Sequence, residues 1–152
     1  RHSRWTMPIL RVGVGLFLAL WGVDKLVATK GSVGIFETFY GLEVGGQLIQ
    51  AAGVAEILLG VLLAVGLFRV PVAWIALAVN AVSTLGSWRQ LVDPWGLLGL
   101  TEGGAHLFLA SIVVMAANVV IVLNARLDDW TLDGLRRDSG GEDERGKTIR
   151  GA

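Results

Sequence analysis

A single carboxylate, Glu56, stands in the run "GVAEILLGVLLAVGLF" at residues 53–68, which holds no other ionisable group. An isolated charge at the middle of a bilayer costs about 2.5–3.5 kcal/mol on insertion scales, so Glu56 is expected to be protonated, paired or turned to a cavity. Two basic side chains of an earlier apolar run compete for it. At ~1.5 Å rise per residue, Arg11 lies about 10 Å to one side of the midplane and Lys25 about 10 Å to the other. Either can extend to Glu56, and spacing alone does not choose between them. A carboxylate merely paired would fix helix register. One beside an apolar slot would hold a ligand or pass a proton. A quinone headgroup needs one or two donors near such a slot, which Lys25, His106 or Trp21 can supply. The candidate quinone or lipid pocket is therefore Glu56, Lys25, His106 and Trp21, and the structural polar residues are Arg11, Glu56, Asn80 and Asn118.

Other chemistries find less support. Glu102 and His106 are four apart, and Asp24 comes to the same level, but one histidine and scattered carboxylates lack metal-ligand spacing. No metal is expected. The only other histidine, His2, precedes the first apolar run, which excludes bis-histidine haem within one chain. There is no cysteine, so thiolate sites and disulfide exchange are excluded too. No basic patch with interleaved aromatics points to nucleic acid, and no catalytic constellation stands out.

The elements that must carry these residues are membrane spans. Of the 152 residues 53% are hydrophobic and 17% charged, with mean hydropathy +0.62, too apolar for an ordinary soluble domain. A span needs about 20 mostly apolar residues to cross roughly 30 Å of hydrocarbon. Segments 8–26, 45–68, 71–88 and 105–125 qualify. A soluble fold would need four fully apolar helices in a chain too short to cover them. The fold expected is an all-α, antiparallel four-helix transmembrane bundle over residues 1–126, followed at 127–152 by an interfacial helix and a polar tail. Only Arg69 and Val70 separate the second and third segments, which predicts a tight hairpin.

Ten of the 13 Lys and Arg residues fall on the side of the termini, and Lys25, Lys30 and Arg89 on the other. Both termini are thus predicted cytoplasmic. Trp5, Trp74 and Trp130 would mark the inner boundary, and Trp88 and Trp95 the outer one. No small-x-small cleavage site follows the first span, which is expected to be retained. The connections "SVGIFETFYGLEVGG" and "LVDPWGLLGLTEGG" are too apolar for water and are expected to lid the bundle in the outer leaflet, the first through Ile35, Phe36, Phe39 and Tyr40. In "DDWTLDGLRR", Trp130, Leu132 and Leu135 would face inward. The final "DSGGEDERGKTIRGA" is compositionally disordered and calls for a partner to hold it.

Inside the spans, Asn80 and Asn118 are expected to bond between helices. Ala76, Asn80, Thr84 and Trp88 repeat every fourth residue and would form one inward face. Gly15, Ala19 and Gly22 on the first span, and Gly53 with Gly60 on the second, suit close helix packing.

The pattern of Arg11, Gly15, Phe17, Gly22 and Lys25, then Gly53, Glu56, Gly60 and Gly66, resembles the DoxX family, small four-helix membrane proteins related to the small subunit of thiosulfate:quinone oxidoreductase. The likeness runs from residue 8 to about 70 and continues to 125 by hydropathy. It implies a multi-pass protein of a bacterial or archaeal inner membrane, the bacterial one being expected here, attached to redox complexes that are often near quinone or sulfur chemistry. Two functions are open. One is a membrane subunit of an oxidoreductase-type complex that anchors a redox partner and shapes a quinone or proton site. The other is a structural or assembly subunit with no chemistry of its own. The partners expected are membrane lipids and a larger membrane complex.

Overall fold

A computed structural model describes residues 5–41, 43–102, 106–128 and 131–134, with the backbone alone at residues 39, 40, 106 and 107. Among them every regular element is helical. Helix α1 spans Thr6–Val27 and carries Pro8 in its first turn, where the backbone N–H would have no partner in any case. Helix α2, Thr29–Ile35, runs on into a π-helical turn at Phe36–Tyr40. Helix α3 is Gly46–Val65, α4 is Arg69–Gly86 and α5 is the short Trp88–Val92. A 3₁₀ turn at His106–Leu109 leads into α6, Ala110–Asn124.

The predicted hairpin has a specific stop. Gly66 takes φ 72°, and the N–H groups of Gly66 and Leu67 both return to the Leu62 carbonyl, at 3.0 and 3.1 Å. This left-handed cap satisfies the last carbonyls of α3. Phe68 follows at φ 50°, costly for a bulky residue. The turn is held from elsewhere in the chain: the Asp133 carboxylate accepts the Arg69 N–H at 2.9 Å, placing an anion at the N-terminus of α4.

Helices α1, α3 and α4 are long and apolar enough to cross a membrane, whereas α6 has 15 residues and covers about 22 Å. Less than a third of each long helix's apolar window is buried inside the protein. Ile9, Val12, Leu16, Leu20 and Val27 form an exposed apolar stripe on α1 that no described residue covers, as suits a helix in lipid. Helix α1 packs on α3, α3 on α4, α4 on α6 and α6 back on α1. Val14, Leu18, Leu59, Leu63, Val72, Ala73, Ala76 and Ile121 make the core between them.

The tightest seam is α1 on α3. A Cβ built on Gly22 would lie 2.5 Å from the Gly53 carbonyl oxygen, and one on Gly53 would lie 2.7 Å from that of Gly22. Gly15 meets Gly60 in the same way a turn or two along, so the two helices run antiparallel.

Two expectations change here. Trp88 does not continue the inward face of α4: the helix breaks at Ser87, whose hydroxyl donates to the Ser83 carbonyl at 3.0 Å, and Trp88 is 49% exposed. The interhelical bond expected of Asn118 is instead made within α6, where its amide donates to the Val114 carbonyl at 2.9 Å. Trp130, Leu135, the side chains of Phe39 and Tyr40, and the tail from residue 135 lie outside the described residues.

The loop after α5 folds around Asp93. Its carboxylate accepts N–H bonds from Leu98 at 3.1 Å and Leu100 at 3.0 Å, while its carbonyl accepts from the Thr101 hydroxyl at 2.6 Å. Burial pushes the carboxyl up, but these backbone donors outweigh it and hold it below the ordinary carboxylate range. A depressed pKa in the folded chain means that the bonds stabilise the loop at neutral pH and are lost as pH falls through that lowered value. Asp93→Asn should therefore speed hydrogen exchange at Leu98 and Leu100 at neutral pH, and the difference from wild type should vanish in strong acid. Equal exchange at neutral pH would show that the carboxylate does not organise the loop.

Candidate functional site

Lys25 resolves the choice left open by spacing. Its Nζ donates to Glu56 Oε2 at 2.7 Å, with the two side chains 11% and 18% exposed. The Gly22–Gly53 contact makes this possible: the backbones approach so closely that a Cβ on Gly53 would also lie 3.0 Å from the Lys25 Cβ, and Glu56 follows one turn later on the same face. The Lys25 ammonium also sits 5.7 Å from the Trp21 ring centroid, within cation–π range, and Trp21 meets Phe17 edge-on at 6.2 Å.

The pair forms part of the wall of a cavity of about 640 Å³. Helix α1 contributes Phe17, Leu18, Trp21 and Lys25, α2 and the π turn contribute Ser32, Ile35 and Phe36, and α3 contributes Glu56. Helix α4 supplies Val79, Asn80, Val82, Ser83 and Thr84, its C-cap supplies Ser87, and Phe108, Ala110 and Ser111 line the side at the start of α6. A mostly apolar chamber with a few polar groups on its wall is the form of a small-molecule site, and its volume falls within the usual range of about 300–1,000 Å³.

Of the predicted pocket residues, Glu56, Lys25 and Trp21 share this cavity. The side chain of His106 lies outside the described residues. Asp24, Gln47, Gln50 and Glu102 are exposed and do not line it. Among the described residues no three acidic or histidine side chains gather as a metal site. Asn80, read from the sequence as a helix-packing residue, is on the cavity wall at 7% exposure with its amide nitrogen unbonded. Leaving such a donor unmade costs about 1–3 kcal/mol. The small and polar repeat on α4 signalled that face, but not that it borders empty space. Ser83 and Ser87 were missed because single hydroxyls in apolar helices bond to their own backbone.

Arg11 serves a different centre at the opposite end of α1. Its Nε meets Asp128 Oδ2 at 2.7 Å with both side chains below 5% exposure. Its guanidinium also donates to the Leu63 and Ala64 carbonyls, at 3.4 and 3.3 Å, placing a cation at the C-terminal end of α3. Arg69 donates to the Asp128 carbonyl, and Thr131 packs against Gly66, where any Cβ would strike both Thr131 and the Arg11 guanidinium. Every feature of this cluster ties the segment after α6 to the α3–α4 turn. Its partner Asp128 lies just past the fourth apolar segment, where the sequence offers it as one of several charged residues. The need of a buried Arg11 for a counter-charge is the one sequence signal that could have found it, although spacing had set Glu56 as the acid to be met.

No curated protein and no solved structure matched the chain. The DoxX family model matches residues 6–88, a stretch that holds the Lys25–Glu56 pair, the glycine seam and Asn80; this is more than half of the chain, and the protein belongs to the DoxX family.

Proposed function

We propose that this protein is the membrane subunit of an oxidoreductase-type complex and that its cavity receives a quinone headgroup beside Lys25 and Glu56. DoxX membership and the three span-length helices make it a multi-pass membrane protein of a family associated with oxidoreductase-type systems. The proposal adds a four-helix antiparallel bundle with both termini on the cytoplasmic side of a bacterial inner membrane. In it α2, the π turn and the Asp93 loop lid the outer leaflet, and residues 127–152 dock a larger complex.

The observation that carries the reading is the cavity itself: about 640 Å³ of apolar space with an ammonium–carboxylate pair on its wall. A quinone ring is flat and apolar at its faces, and its carbonyl oxygens accept hydrogen bonds. Lys25 holds donors beyond the one given to Glu56, Trp21 and Phe17 offer aromatic surface, and Glu56 stands next to the donor as a proton acceptor.

The test uses the protein in nanodiscs titrated with a short-chain benzoquinone. Saturable quenching of tryptophan fluorescence is expected, and Trp21→Phe should remove a distinct part of it. Absence of saturable quenching would overturn the quinone site and leave the structural or assembly role as the better reading. Glu56→Gln should weaken quinone binding and lower unfolding stability by about 2 kcal/mol, between the ~0–1 of an exposed ion pair and the ~3–5 of a fully buried one. Unfolding in mixed micelles with and without the quinone separates the two effects.

A further inference from the structure

Asn80 is more than nine-tenths buried on the cavity wall, and its amide nitrogen finds no hydrogen-bond acceptor among the described residues. Folding gains nothing from such a group, whereas a ligand oxygen would satisfy it. The carboxamide exchanges donor and acceptor ends by a half-turn that leaves its shape unchanged, so the donor can meet a ligand without repacking. Asn80 begins a polar edge on α4, since Ser83, Thr84 and Ser87 follow at helical spacing and line the same space.

The charge balance of the wall narrows the ligand further. Lys25 is its one cation among the described residues, and Glu56 neutralises it at 2.7 Å. A carboxylate or phosphate head would meet Glu56 in a low-dielectric space with no spare cation. A neutral head would not.

We propose that the cavity selects an uncharged amphiphile whose head bears a carbonyl oxygen, and that Asn80 is the residue that binds this oxygen. The inference rests on the quinone reading above and adds to it a specific donor and a selection against anionic heads.

The test is the same nanodisc titration, extended in two arms. In the first, Asn80→Leu should weaken binding of the short-chain benzoquinone up to about tenfold, the range for one hydrogen bond. The ligand-free variant should unfold at the same temperature as wild type or higher, because an unbonded buried amide has been removed. In the second, run on the wild-type chain and so independent of any variant's folding, dodecanoic acid at pH 8 should compete with the quinone more weakly than its methyl ester. Wild-type quinone affinity in Asn80→Leu would refute the donor assignment while leaving the quinone site standing. A lower unfolding temperature for that variant would make Asn80 structural and refute it equally. Stronger competition by the acid would overturn the charge selection, and no quinone binding by the wild type would remove both the site and this inference.

Discussion

Asp128→Leu is expected to lower unfolding stability by about 3–5 kcal/mol, because it removes the carboxylate that meets the Arg11 guanidinium in a buried site. Arg11 is 4% exposed, so little water reaches the charge. The loss should exceed that of any ion-pair change at the Lys25 end, where the cavity keeps the partners more accessible. Arg11→Met with Asp128→Leu should recover most of the loss, since an apolar pair of similar volume carries no desolvation penalty. Recovery should stay incomplete, because Arg11 also covers the Leu63 and Ala64 carbonyls at the end of α3. Unfolding in mixed micelles measures all three. A change within about 0.5 kcal/mol for Asp128→Leu, the scale of an ordinary surface substitution, would mean that the pair does not hold the post-α6 segment in place.

The second large effect belongs to the α1–α3 seam. Gly60→Ala should cost about 3 kcal/mol, the upper end of ordinary overpacking, because its Cβ would overlap the Gly15 carbonyl oxygen and press on Ala19. These obstacles are backbone atoms of a rigid helix, so no rotamer change relieves them and the helices must part. Parting also separates Lys25 from Glu56 on the same two helices, so the variant should lose quinone affinity together with stability. Gly13→Ala is the control: a Cβ there meets nothing within 4 Å, on the exposed side of α1, and should leave unfolding unchanged or slightly raised. Equal behaviour of the two variants would refute the seam as the element that sets the site.

Hydropathy alone predicted the long helices, since a run of about 20 apolar residues has few alternatives. Their observed bounds, Thr6–Val27, Gly46–Val65 and Arg69–Gly86, differ from 8–26, 45–68 and 71–88 by a few residues at most. Segment 105–125 was less legible: His106–Leu109 form a 3₁₀ turn and α6 proper begins at Ala110. Hydropathy counts apolar side chains and does not see which helical geometry the backbone adopts.

The glycines at 15, 22, 53 and 60 announced a close helix contact by their small size alone, and the contact lies where they are. Glu56 likewise announced a need for pairing, because a carboxylate in an apolar run has no cheap alternative. Which base would meet it was a question of depth, rotation and reach, and three-dimensional packing answered with Lys25 while sending Arg11 to Asp128. The sequence offers Asn80 as one more polar group in an apolar helix. Only the placement of α4 across the cavity from α1 and α2 decides that its amide borders open volume, because empty space is a property of how helices fail to fill the volume between them and leaves no mark on any single segment.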